Sequence, residues 1–558
     1  MALIQAFRFA AGSLRERIKE AFHRTTERNS PTDGAQYELT DPEIAAYFRS
    51  VAAEWPKAEL VEDRTWSDLE MERVFIRLNK STTPLGAQHL YAMLRHAQSN
   101  PELLNENVIA IHAFTSNPEA GAALRRVLRE LGRSESAELA GFLPGKPPAV
   151  PSWHRLFYFL SAVAVLCPFG LFLSPWFLLP SLCLWIINIV VHCVYRRDVV
   201  QHASALANLA TLVGCARQIP HALRRFDLPE VRELRTQESV ARKIQQQISK
   251  TFLSKESAND LLVVLVENLN VLCLFELCSL CRAILAVNKE RAALLRIFQI
   301  IGRLDAFQGL STALGEYPVI CAAELKAGRD FTLLDVYHPL VANPVPNSIE
   351  GSGHSLLLTG TNMAGKTTFI KTLGINLLLA QTLGICLARK AVLPPARLKT
   401  LINREDTILA GQSYFFFEAS ELRRMLDDAK RTDQEAWFVL DEVFRGTNTI
   451  ERVAAAAAVL GHLARQGMVI ASTHDHELTT LLAAQFDAYH FSEVVDGGRA
   501  RFDYQLRKGP CTSRNAIKLL ALAGYPQDVI EAAEKLATSA DRRLSPIHPA
   551  YPGEPVAS

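Results

Sequence analysis

Eight residues, Gly360-Thr361-Asn362-Met363-Ala364-Gly365-Lys366-Thr367, fit the pattern G-x-x-x-x-G-K-[ST], which demands a strand running into a glycine turn and a helix running out of it. The flanks comply. Ser355-Leu356-Leu357-Leu358-Thr359 is a short apolar run of the kind that makes a buried strand, and Thr368-Phe369-Ile370-Lys371-Thr372-Leu373 reads as the departing helix. The chemistry follows from the backbone. Glycines let N–H groups converge on phosphate oxygens at a helix N-terminus, Lys366 reaches the β- and γ-phosphates, and the Thr367 hydroxyl can bind Mg²⁺.

A second constraint is residues 156–195, which contain no Asp, Glu, Lys or Arg and are broken near the middle by Ser174-Pro175. At about 1.5 Å rise per residue the stretch is too long for one crossing of a ~30 Å hydrocarbon layer and suits two, so a transmembrane helical hairpin is expected over 153–197. Trp153, Tyr158, Trp176 and Tyr195 are available as interfacial anchors, with Trp185 in mid-span. His154 and Arg155 precede the stretch and Arg196 and Arg197 follow it. The excess of positive charge at both ends places them in the cytoplasm, which predicts an inner-membrane protein with both its N- and C-terminal domains on the cytoplasmic side. The competing reading is a hydrophobic hairpin buried in a soluble domain.

Composition narrows little else. The 558 residues carry 60 Lys and Arg against 58 Asp and Glu, a formal +2, so there is no global electrostatic footprint of a dedicated nucleic-acid binder. Of ten cysteines only Cys278 and Cys281 form a C-x-x-C pair, in a helical-looking run without a second pair at zinc-ligand spacing, so buried core thiols are expected. Arg8, Arg15, Glu16, Arg17, Lys19 and Glu20 interrupt any secretory apolar core near the N-terminus.

The expected organisation is multidomain: an N-terminal helical segment (1–64), the first part of a helical lever (65–150), the membrane hairpin (153–197), the second part of the lever (198–325), and a C-terminal α/β P-loop domain (326–538). In that last domain strands alternate with helices, the pattern of a mostly parallel sheet covered on both faces. The proline-containing end (539–558) reads as a disordered tail.

Two further segments supply catalytic chemistry. Ala436-Trp437-Phe438-Val439-Leu440-Asp441-Glu442 is an apolar strand ending in two acids; Asp441 can hold Mg²⁺ while Glu442, on the turn beyond, polarises the attacking water. Met468-Val469-Ile470-Ala471-Ser472-Thr473-His474 is another short strand, ending in a histidine able to bond the γ-phosphate or the water.

Taken together these segments resemble the MutS family of mismatch-repair ATPases. Asn362-Met363 before Gly365-Lys366 is distinctive, and other segments follow in family order: Ala410-Gly411-Gln412-Ser413-Tyr414-Phe415-Phe416-Phe417-Glu418 is similar to the signature loop, and Leu440-Asp441-Glu442-Val443-Phe444-Arg445-Gly446-Thr447 to the Walker B strand and its turn. Ser472-Thr473-His474-Asp475-His476 resembles the switch histidine segment, and Tyr337-His338-Pro339-Leu340 the lead-in near the adenine. Upstream, Leu78-Asn79-Lys80-Ser81-Thr82-Thr83-Pro84-Leu85-Gly86 looks like the opening of the helical lever and Leu304-Asp305-Ala306 like its return to the ATPase.

The resemblance implies an Mg²⁺-dependent ATPase working as a homodimeric nucleotide sandwich, with Ser413 of one subunit reaching the γ-phosphate held by the other. Gly360, Asn362, Met363, Gly365, Lys366, Thr367, Thr368 and His338 would then bind ATP, Thr367 and Asp441 the metal, and Glu442, His474 and Lys366 would carry catalysis. Departures are visible. No Phe-x-Glu wedge of the mismatch-recognition domain occurs before residue 150, the hairpin interrupts the lever, and Ala364, Tyr414 and Phe444 replace residues the family prefers. The expected function is therefore a membrane-anchored MutS-like ATPase whose levers move with ATP. Alternatives are a tethered binder of mismatched or branched DNA, using Arg217, Arg224, Arg225, Lys243, Lys250 and Lys255, or an ATPase of transporter type. Two spans and the missing Leu-Ser-Gly-Gly-Gln signature speak against the last.

Overall fold

The computed structural model describes residues 41–132, 138–145, 149–252, 268–361, 364–402, 414–429, 435–444, 448–496, 499–511 and 525–544. Residues 1–40 of the expected N-terminal segment and 545–558 of the expected tail lie outside them.

Helices α1 (Pro84–Leu94) and α2 (Pro101–Ser116) both start where the sequence supplies a polar cap followed by proline. The Thr83 hydroxyl accepts from the Gly86 N–H at 3.2 Å and the Asn100 side chain from Glu102 N–H at 2.9 Å. Beyond the apolar stretch of 156–195 come α5 (Phe275–Lys289) and α6 (Arg291–Leu314). The two lever segments named from sequence meet at Asp305 on α6. Its fully buried carboxyl accepts the Thr82 N–H at 2.9 Å, the Thr83 N–H at 2.8 Å and the Thr83 hydroxyl at 2.6 Å. Burial pushes this carboxyl up to about 6, against the opposing pull of those hydrogen bonds. Gly86 is forced by the same contact, since a Cβ there would fall 2.3 Å from Asp305 Oδ2. Cys278 and Cys281 are buried on α5, and among the described residues no cluster of three or more His, Cys, Asp or Glu could hold a metal. The thiols are core residues, as expected.

The hairpin consists of α3 (His154–Leu166), extended by a 3₁₀ segment Cys167–Phe172, and α4 (Leu178–Ala222). The turn falls at Ser174-Pro175, where the Ser174 side chain caps the Trp176 N–H. Two stretches, His154–Phe172 and Pro175–Tyr195, are long and apolar enough to cross a membrane by length and composition. Only 17% and 11% of these windows are buried. Phe172, Leu173 and Trp176 at the turn are 88%, 86% and 84% exposed, the reverse of a soluble core hairpin. The apolar stretch ends at Tyr195, and the second helix continues past the expected hairpin bound of 197 to Ala222, running through Gly214 and Pro220. Of the basic lever residues, Lys243 is paired with Glu290 at 2.7 Å and Arg217 with Gln245. The side chains of Lys250 and Lys255 lie outside the described residues.

The C-terminal part contains strands β1 (Cys321–Leu325), β2 (Asp330–Val336), β3 (Asn347–Ser352), β4 (Ser355–Thr359), β5 (Ile385–Cys386), β6 (Lys390–Leu393), β7 (Arg397–Leu401), β8 (Ala436–Asp441), β9 (Met468–Ser472), β10 (Phe486–Asp496) and β11 (Arg499–Lys508). They form two sheets. The larger has the order β11-β10-β4-β9-β8-β7, parallel throughout except for β11, which returns antiparallel to β10. Strands β4 and β9, and all but the last residue of β8, are buried on both faces, which is why their sequences are unbroken apolar runs instead of alternating ones.

The smaller sheet, β3-β2-β6-β1-β5, corrects the expectation of a single mostly parallel sheet. It is antiparallel at three of its pairings and parallel only between β1 and β6. Its β2–β3 connection is too short for the crossover a parallel pair requires. It also begins at Cys321, ahead of the expected start at 326. Edge strand β7 of the larger sheet is covered by the helical part: Asp68 accepts from the Thr400 hydroxyl at 2.8 Å and the Ile402 N–H at 3.0 Å.

Candidate functional site

Helix α7 (Lys366–Leu383) leaves the glycine turn after β4, α8 (Tyr414–Ala429) precedes β8, and α9 (Thr449–Gln466) links β8 to β9. Because β4, β9 and β8 are adjacent and parallel, with Leu358 opposite Ser472 and Asp441 opposite Ser472, their carboxyl ends open on one edge of the sheet. Ligands of open parallel sheets bind at that edge.

The turn after β4 needs its glycines. Gly360 has φ +133 and Gly365 φ +100, conformations closed to most side chains, and a Cβ on Gly360 would sit 2.6 Å from the Phe491 carbonyl oxygen. Lys366 opens α7 and is only 2% exposed. Its ammonium donates to the carbonyl oxygens of Gly360 at 2.6 Å and Thr361 at 3.0 Å and lies 3.5 Å from His474 Nε2. The Thr367 hydroxyl donates to Asp441 Oδ2 at 2.8 Å. Asp441 Oδ1 accepts from the Ser472 hydroxyl. Glu442 follows Asp441 on a left-handed turn, φ +50, and its Oε1 is 2.6 Å from His474 Nε2.

Seven sequence-predicted residues, Gly360, Gly365, Lys366, Thr367, Asp441, Glu442 and His474, therefore converge. Thr368 is exposed on the first turn of α7, its carbonyl accepting from the Thr372 hydroxyl at 2.7 Å. His338 sits elsewhere in the electrostatic pattern. Burial depresses it to about 4, with Glu70 opposing and Lys371 and Arg73 reinforcing, and its Nδ1 accepts from the Leu340 N–H at 3.2 Å. Asn362, Met363 and Ser413 lie outside the described residues.

Two contributors were missed from sequence. Ser472 is the hydroxyl that orients Asp441, and its signal was its place at the end of a strand parallel to β8. Arg452 on α9 grips Asp475 through Nε and a terminal nitrogen at 2.9 and 2.6 Å, while the Asp475 N–H donates to the Thr473 hydroxyl at 3.0 Å. His474 is thus held between two anchored neighbours.

The donor set suits a magnesium triphosphate: a buried ammonium, a helix N-terminus, a hydroxyl–carboxylate pair and a second carboxylate beside an imidazole. Fold and site together define a helical protein carrying a C-terminal α/β domain with its polar cluster at the carboxyl ends of parallel strands. Residues 356–541 match the family model of MutS domain V. Over 248 residues the chain is 32% identical to "DNA mismatch repair protein MutS 2" of Haloarcula marismortui, covering 42% of this chain and 25% of that protein. It is 30% identical over 259 residues to "DNA mismatch repair protein MutS" of Thermus aquaticus (45% and 31% covered). It is also 30% identical over 289 residues to the protein of that name from Oleidesulfovibrio alaskensis (48% and 32%). The C-terminal part of the chain is thus similar to domain V of MutS proteins. The chain spans about a quarter to a third of the length of these relatives.

Proposed function

We propose that this chain is a membrane-anchored MutS-type ATPase that binds and hydrolyses ATP with Mg²⁺ and transmits the change to its helical levers. The observation that carries the reading is the joining of the β4 turn to the acidic pair: Thr367 to Asp441 at 2.8 Å beside Glu442 to His474 at 2.6 Å. Magnesium, when bound, neutralises charge on the phosphates. The residues do the rest. Thr367 and Asp441 hold the metal, Ser472 keeps Asp441 oriented, and Lys366 turns from its own loop carbonyls to the phosphate oxygens. Glu442 orients and deprotonates the attacking water, and His474, bonded to Glu442, fixes that carboxylate and registers whether the γ-phosphate is present.

The hairpin anchors the protein in the inner membrane with both soluble parts in the cytoplasm; its support is the exposure of its apolar faces together with the flanking His154, Arg155, Arg196 and Arg197. The sandwich with a second copy follows the family, with Ser413 acting in trans. The deciding experiment uses detergent-solubilised protein. Retention of ATP and Mg²⁺-dependent phosphate release, lost when Lys366→Ala and Ser413→Ala are made separately and regained when the two variants are mixed, supports the reading. Protein unable to retain ATP ends it.

The names of the relatives favour a second reading, DNA binding by a tethered repair protein. It predicts structure-selective binding of mismatched or branched duplex; a steep salt dependence without such preference means phosphate contact alone.

A further inference from the structure

The turn that carries Glu442 is built from unfavourable conformations. Glu442 has φ +50 and Phe444 φ +61, both left-handed and both non-glycine. Such residues persist only where surrounding structure over-determines them. One support is visible on the strand side, where the Glu442 N–H donates to the Ser472 carbonyl oxygen at 3.0 Å. The other comes from α8. Glu418, 2% exposed, accepts the Phe444 N–H on Oε1 at 2.8 Å. The Phe444 ring beside it is buried with Leu422 of the same helix and Leu440 of β8.

Nothing in the catalytic scheme above uses Glu418, and a glutamate at such a buried position is costly unless its carboxylate has work to do. The geometry points to Glu418 as a positioning residue that clamps the Glu442 turn in its left-handed form and ties it to α8. The clamp explains why Phe444 can stand where a glycine would adopt the turn without cost. It also gives α8 a role. This helix begins at Tyr414, directly after Ser413 in the chain, so a shift of the helix start is passed through about one turn of helix and the Glu418 hydrogen bond to Phe444, two residues beyond Glu442. The inference rests on the ATPase reading for its consequence, but the clamp itself does not.

Two measurements on the full-length solubilised protein separate them. Hydrogen exchange of the 442–444 amides in nucleotide-free protein reads the clamp alone. Glu418→Ala is expected to speed that exchange, while Glu418→Gln, which keeps an acceptor at the same place, leaves it near the parent. In steady-state hydrolysis Glu418→Ala is expected to lower kcat by about tenfold to a hundredfold, the cost of a misplaced catalytic group, with ATP affinity changed less than about threefold. Glu418→Gln is expected to recover most of that loss. Unchanged exchange in Glu418→Ala overturns the clamp whatever the activity. Altered exchange with parental kcat overturns the link to catalysis, as does equal damage from Ala and Gln. If the parent itself hydrolyses no ATP, the function proposal falls while the exchange data still decide the clamp.

Discussion

Thr367 and Asp441 stand 74 positions apart in the chain and meet at 2.8 Å, hydroxyl to carboxylate, where the first turn of α7 faces the end of β8. That pairing is the arrangement in which a single divalent ion can be held between a loop and a strand. Asp441→Asn keeps the shape and removes the charge. Magnesium-dependent turnover is expected to fall by about a hundredfold or more, with nucleotide binding in EDTA little changed. Titrating Mg²⁺ against the rate checks this; an unaltered Mg²⁺ dependence would remove Asp441 from the metal site.

Glu442 and Lys366 should fail in different ways. Glu442→Gln is expected to hold ATP as tightly as the parent and to turn it over at least about a hundredfold more slowly, because water activation alone is lost. Lys366→Ala removes the buried cation and should lose binding itself. Filter retention of labelled ATP beside single-turnover hydrolysis distinguishes the two patterns.

Stability should depend on pH through three buried groups of opposite sign. Asp305 is raised from 3.8 to about 6, so its contribution is full below about 4 and is lost as pH rises through 6. His89 and His338 are depressed from 6.5 to about 4, so theirs is present above 6.5 and lost as pH falls through 4. Two histidines against one aspartate leave stability rising between pH 4 and 6. Asp305→Asn should steepen that rise, measured as the slope of the unfolding midpoint with pH; a slope that flattens would contradict the assignment.

The hairpin discriminates membrane from water by cost. Leu182 and Val190 are exposed apolar residues within the second span. A charge at the centre of a spanning helix costs about 2.5 to 3.5 kcal/mol, whereas an exposed substitution on a soluble protein stays within about 0.5 kcal/mol. The double variant Leu182→Arg, Val190→Arg is therefore expected to leave the membrane fraction after alkaline extraction. Parental protein already soluble in that extract would refute the anchor.

Asp68→Ala should loosen the helical part from the sheet edge. It strands the buried Ile402 N–H and leaves the Thr400 hydroxyl only its longer contact with the Thr65 hydroxyl at 3.5 Å, at a cost of about 1 to 3 kcal/mol. Denaturant unfolding followed at the two parts should then lose coincidence.

Much of this was legible because certain residues leave few options. The strand at 355–359 was read to the residue and the one at 468–472 to within two residues of its end, since a short apolar run ended by turn-forming or polar residues suits a strand buried between two layers. The glycine turn, Lys366 and the acidic pair were legible because phosphate chemistry fixes residue types at fixed spacing. The mixed, mostly antiparallel sheet of 321–393 was not. Short alternating strands such as β1 and β5 carry too little periodic signal to specify partners, and β5 is only two residues long. The continuation of the second hairpin helix to Ala222 was not legible either, because polarity marks where an apolar span ends, not where a helix stops.

By itself the sequence determined the chemistry this chain can offer: an ammonium after a glycine turn, two acids at a strand end, a histidine at another, and a pair of uncharged helices. Those are properties of residues and their nearest neighbours. Only the tertiary structure decided that Ser472 orients Asp441, that Asp305 closes on Thr82 and Thr83, and that Glu418 supports the turn of Glu442. The reason is physical. Each of these rests on one to three hydrogen bonds between residues brought together by sheet order or helix packing, and no local pattern encodes a partner that distant burial selects.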